Sequence, residues 1–142
     1  MYKPENFELY ELLPKDVYEA TMNYGERRWQ FFDGGLLVTL QELRNNEGKI
    51  ILNDWYWGGN NHYRGYRPFD CKIGAEWSMH KFFRALDCIF VETTAERVRS
   101  KFLDNPSLYP HITCVETEIN WFHYDTRNWD IHKHGVLIFE GG

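Results

Sequence analysis

The sequence predicts an α+β domain in which helices pack on one antiparallel sheet. Two amphipathic stripes at helical spacing occupy the N-terminal part of the chain, a third helix follows residue 93, and short apolar runs of strand character make up much of the rest. The intervals between the last of these runs are too short for helical crossovers, which points to antiparallel pairing. At 142 residues the chain has the size of one domain, 1–142, able to enclose one sizeable core.

Taken in order, residues 14–24 read as a helix, with Val17, Ala20, Thr21 and Tyr24 at helical spacing and Gly25 placed to end it. Residues 34–44 form a second, where Leu36, Leu37, Leu40 and Leu43 make a core-facing stripe and Asn45-Asn46-Glu47-Gly48 supplies the stop. Residues 49–53 are strand-like, and Gly58-Gly59-Asn60-Asn61 then breaks the chain into a loop that ends at Pro68. Asp87 opens the apolar run Cys88-Ile89-Phe90-Val91, a buried strand. Thr93 with Glu96 three residues later matches a capping box for a helix through Leu103, closed by Asp104-Asn105-Pro106. Residues 112–115, 119–124 and 136–139 are the remaining strands. No internal repeat, low-complexity tract or linker interrupts this order.

Charge and composition exclude several function classes. The net charge is -5, the pI is near 5.7, and Lys and Arg are scattered without a basic stripe, which leaves no electrostatic footprint for nucleic acid. The N-terminus lacks a signal-peptide pattern and no apolar run reaches membrane-spanning length, so the expectation is a soluble monomer made in the cytoplasm, without membrane insertion. Cys71, Cys88 and Cys114 form no C-x-x-C pair, and an odd count cannot complete an intramolecular disulfide framework. Aromatic residues make up 18% of the chain, with crowding at Asp54-Trp55-Tyr56-Trp57 and His62-Tyr63-Arg64-Gly65-Tyr66, where both core packing and a binding wall are expected.

The chemistry concentrates in Ser78-Met79-His80-Lys81-Phe82-Phe83-Arg84-Ala85-Leu86-Asp87 and in Trp121-Phe122-His123. Two imidazoles and a carboxylate are the ligand set of a catalytic zinc (Zn2+), which takes three protein ligands and keeps a position open. His80, Asp87 and His123 are the candidate ligands. Atoms sharing one zinc lie roughly 3 to 4 Å apart. Seven residues of straight helix would separate His80 from Asp87 by about 10 Å, and seven of straight strand would place them on opposite faces. The segment must therefore turn between them. His132 and His134, with no third ligand nearby in sequence, belong to a solvated edge.

The same segment resembles the S-x-H-x-x-G-x-A-x-D signature of zinc D-alanyl-D-alanine carboxypeptidases, with Ser78, His80, Ala85 and Asp87 in register. That family includes D,D-dipeptidases and phage endolysins that cut between L-alanine and D-glutamate. Trp121-Phe122-His123-Tyr124-Asp125 resembles its second signature, and Gly65-Tyr66-Arg67 resembles its S-G-Y-R motif, whose arginine faces substrate. Phe83 stands where the family has glycine, and Arg64 where it has serine. The resemblance implies zinc-dependent hydrolysis of a peptide bond in the peptidoglycan stem peptide by a phage or prophage cell-wall enzyme, acting after release from the cell or as part of a virion.

In that reading Arg67 stabilises charge on the substrate, with Arg64 as a lesser candidate, and Ser78 supports the metal site. Relatives place an acidic residue three positions before the last ligand, where this chain has Asn120. Glu118 is the expected general base, brought toward the metal by a bulge near Asn120; without a bulge, strand alternation puts Glu116 on the His123 face instead. Asp125 and Arg127 form either a supporting or a solvated ion pair. Two alternatives remain open: a non-catalytic zinc-binding module for cell wall or a phage partner, and a metal-free domain.

Overall fold

The computed structural model describes residues 1–141. Its first helix, α1 (Lys15–Ala20), is shorter than the spacing predicts, because the chain leaves α geometry at Thr21 and continues as a 3-10 coil over Met22–Phe31 with a kink at Gly25. The leucine stripe forms α2 (Gly34–Glu47), opened by the Asp33 side chain, which accepts the Leu36 N–H at 3.1 Å. All four stripe leucines are buried. At roughly 1.5 to 3 kcal/mol for each fully buried leucine, this face and not local propensity holds α2 in place. Further along, α3 (Ala95–Asp104) is capped by Thr94, which accepts the Arg97 N–H, one residue later than the expected Thr93.

Five strands make the sheet: β1 (Ile50–Ile51), β2 (Ala85–Phe90), β3 (Cys114–Thr117), β4 (Phe122–Asp125) and β5 (Leu137–Glu140). Their spatial order is β1-β2-β4-β3-β5. The α+β class stands, but the sheet is mixed: β5 runs parallel to β3, whereas the other pairs are antiparallel. Register explains the correction. Cys114 at the start of β3 pairs with Asp125 at the end of β4 and also with Leu137 at the start of β5. The chain therefore leaves β4 beside the beginning of β3 and reaches its far edge through the short α4 (Ile131–His134), with no long crossover. His132 and His134 lie exposed on this helix, not on a strand edge.

Alternation divides the sheet into two chemistries. Leu86 and Cys88 of β2, Val115 of β3 and Phe122 and Tyr124 of β4 face the core with α2 leucines and with Val98 and Phe102 of α3. The Tyr124 hydroxyl donates to the Leu36 carbonyl at 2.8 Å, which satisfies the one polar atom that ring buries. The opposite face carries Asp87 directly across from His123, and Ala85 across from Asp125.

Candidate metal centre

The candidate ligands arrive on separate elements that a loop ties together. Gly65 packs its backbone on the Leu12 carbonyl so closely that a Cβ would lie 2.2 Å from that oxygen, and Tyr66 N–H donates to the same carbonyl at 2.8 Å. Only glycine fits there. The Gly65 carbonyl then accepts from His80 Nδ1 at 2.7 Å, Arg67 N–H donates to the His80 carbonyl at 3.1 Å, and Asp87 N–H donates to the Arg64 carbonyl at 2.8 Å. One short loop thus grips both ligand segments by backbone.

The chain turns between His80 and Asp87, as their spacing requires. Ser78 Oγ accepts the His80 N–H at 3.2 Å and opens a 3-10 turn over Met79–Phe82; Ser78 thereby supports the site through the backbone. The turn closes at Phe83 with φ 60° and ψ 31°. This is the left-handed region, which costs an L-residue roughly 1–2 kcal/mol and which glycine enters freely. Phe83 offsets the strain by packing: its ring stacks on Tyr66 at 3.9 Å and stands edge-on to Phe32 at 5.1 Å.

His80, Asp87 and His123 are all buried, and one ligand atom from each lies within 4.8 Å of the others. Asp87 Oδ1 is 2.8 Å from His123 Nδ1 and 3.2 Å from His80 Nε2, while its Oδ2 accepts from Arg67 Nη2 at 3.0 Å. Burial pushes the His80 pKa below the ordinary value, so this imidazole is neutral at pH 7. Its Nδ1 carries the proton, because the Gly65 carbonyl can only accept. His80 Nε2 is then a lone pair that makes no hydrogen bond and faces a carboxylate oxygen across 3.2 Å. Two electron-rich atoms in that position repel, and a cation between them removes the conflict. The residues present fit zinc in donor type, burial and convergence.

Charge is distributed unevenly over the rest of the group. Burial opposes the charged form of His123, but hydrogen bonds to Asp125 and Asp87 outweigh it and raise the imidazole to about 9. Burial likewise opposes ionisation of Asp87, yet the hydrogen bond and charge of His123 hold it well below the carboxylate range. Asp125 is fully buried on the far side of His123 and bonds Arg127 through both oxygens, so the expected Asp125–Arg127 pair is a supporting one.

The cluster floors a cleft of about 750 Å³ whose walls include Arg67, Trp77, Glu116, Trp121 and Arg127. Arg64 points away, its guanidinium bound to the Leu52 carbonyl. Glu116 and Glu118 both line the cleft. The β3–β4 register pairs Cys114 with Asp125 and Val115 with Tyr124, residues 118–121 lie in the turn beyond the two strands, and Glu116 faces His123, its Oε2 4.0 Å from His123 Nδ1. Glu118 sits in the turn after β3 at φ 61° and is exposed. Trp77, 68% exposed at the rim, carries no sequence signal that marks it, since it belongs to no periodic element. Cys88 and Cys114 are buried; burial pushes Cys88 well up and Cys114 to about 12, which leaves both inert as nucleophiles. Among the described residues, no helix is long and apolar enough to cross a membrane.

No family model, curated protein or solved structure matches this chain.

Proposed function

We propose that the chain is a zinc-dependent peptidase of the bacterial peptidoglycan stem peptide, similar in its site to zinc D-alanyl-D-alanine carboxypeptidases and the related phage endolysins. The observation that carries this reading is the donorless lone pair of His80 Nε2 held against Asp87 Oδ1 beside His123 Nδ1, at the floor of an open cleft. Zinc held by His80, Asp87 and His123 supplies Lewis acidity toward a carbonyl oxygen and lowers the pKa of water to about 7.

The chain's own groups complete the site. Arg67 is fixed by the Tyr63 carbonyl at 2.7 Å, by Asp87 and by the Ile73 carbonyl at 3.4 Å, and its guanidinium borders the cleft, where its charge suits a substrate carbonyl or carboxylate. Burial raises the Glu116 carboxyl above its ordinary value, which favours accepting a proton. Its place on the His123 face makes Glu116, in preference to Glu118, the general base for the attacking water. The substrate lies outside the cell membrane, so action there requires release from the producing cell or carriage on a virion.

A metal-free domain is the second reading, favoured by one observation: Arg67, Asp87, His123, Asp125 and Arg127 form an unbroken series of alternating charges in which both His123 nitrogens already have partners. Metal analysis of protein purified without chelator decides between the two, with about one zinc per chain expected for the first. Mass spectrometry of peptidoglycan digested by that protein, with and without chelation, then tests the activity. Bound zinc with no cleavage product would leave a non-catalytic zinc-binding module.

A further inference from the structure

We propose that Asp125, clamped by Arg127, is the positioning residue that makes His123 offer Nδ1, and not Nε2, to the metal. This rests on the reading that the His80, Asp87 and His123 group binds zinc.

Strand alternation places Asp125 on the same face as His123, two residues along β4, and Ala85 opposite it contributes only a methyl group, which leaves room for a carboxylate. Asp125 has no exposed surface. Its Oδ2 accepts from His123 Nε2 at 2.9 Å and from Arg127 Nη2 at 2.7 Å. Its Oδ1 accepts from Arg127 Nε at 2.8 Å and from the Arg127 backbone N–H at 3.2 Å. An ionised carboxylate only accepts, so Nε2 must carry hydrogen and Nδ1 is left as the atom able to give a lone pair to a cation. Phe139 of β5 limits ring rotation from the side, its ring edge-on to His123 at 5.6 Å and beneath the Arg127 guanidinium at 5.6 Å. His80 is set the opposite way: the Gly65 carbonyl takes Nδ1 and leaves Nε2. The two imidazoles thus enter one site through different nitrogens, each chosen by an acceptor behind it.

Asp125→Asn removes the charge that holds both the ring and Arg127. Zinc affinity of the apo-protein, measured by competition with a chromophoric chelator, is expected to weaken about 10- to 100-fold. Long-range 1H–15N spectra of zinc-loaded wild type are expected to show His123 protonated at Nε2, and this signal is expected to broaden or shift in the variant. Arg127→Gln, at a partly exposed side chain, is expected to weaken zinc in the same direction and carries the test if Asp125→Asn does not fold. A loss of thermal stability alone, with zinc affinity within about twofold of wild type and an unchanged ring signal, overturns the proposal. So does a zinc-loaded wild type with Nε2 bound to metal. Wild type that takes up no zinc removes the metal reading itself, whereas wild type that binds zinc beside indifferent variants removes only the role of Asp125.

Discussion

At the residue scale, Phe83 shows how a side chain that the backbone disfavours is retained by its neighbours. The left-handed φ of 60° asks for glycine, while the stack on Tyr66 asks for an aromatic ring. Phe83→Ala keeps the strained backbone and loses the ring, with an expected cost of about 2 kcal/mol. Phe83→Gly loses the same packing but relieves the strain, so it is expected to be less destabilised than the alanine variant by about 1 kcal/mol. Chemical denaturation of both checks the order, which reverses the usual ranking of these two residues. The proposed general base is tested at the same scale. Glu116→Gln is expected to retain zinc and fold while turnover on peptidoglycan falls about 10²-fold or more. Glu118→Gln, changed on an exposed turn, is expected to stay within a few-fold of wild type. The reverse ranking in initial rates would move the base to the turn.

At the scale of elements, the site depends on a loop with no regular structure. Residues 64–67 hold His80 and Asp87 through two backbone hydrogen bonds and one bond to the His80 ring, and Gly65 is the point where that loop presses on Leu12. Gly65→Ala is expected to lower stability by about 1–3 kcal/mol, because neither backbone can yield without breaking the Tyr66 bond to Leu12. Zinc stoichiometry is expected to fall with it, since the Gly65 carbonyl sets the His80 tautomer. Full zinc content together with wild-type stability would show that the loop does not orient the ligands. The turn between β3 and β4 is braced differently: Arg99 of α3 donates to the Trp121 carbonyl at 2.7 Å, which ties one cleft wall to the helical layer.

For the whole molecule, the buried charges make stability depend on pH, and the proposed zinc binding is expected to depend on it in the opposite sense. The His123 pKa is raised to about 9 in the metal-free fold, above its ordinary 6.5. Its stabilising contribution is therefore complete below about pH 6.5 and is lost as pH rises through 9. Asp87 and Asp125 are depressed, so their contribution is present above the ordinary carboxylate range and is lost as pH falls below it. Chelated protein is accordingly expected to melt highest near pH 5 to 6.5 and lower at pH 9. Zinc must displace the proton on His123 Nδ1, so its affinity is expected to rise about tenfold per pH unit between 6 and 8. Thermal melts with chelator and zinc competition titrations across that range check the two slopes, and a flat zinc profile removes His123 from the ligand set.

The sequence by itself determined what periodicity and residue chemistry can specify. The leucine stripe of α2, a helix start within one residue of Thr93, and the need for a turn between His80 and Asp87 all follow from local spacing, because helix and strand repeats are short-range properties. Strand alternation also placed Glu116 on the His123 face, but the bulge expected near Asn120 assigned the base to Glu118 instead. Tertiary structure decided the rest. The parallel placement of β5, the pairing of Asp87 with His123 and the approach of Glu116 to His123 are choices among long-range partners that local pattern does not distinguish. The same holds for Asp125, which reads in sequence as either a solvated or a supporting acid. Only the packing of β4 against β2 and β3 removes its water, and a carboxylate without water must take its hydrogen bonds from His123 and Arg127.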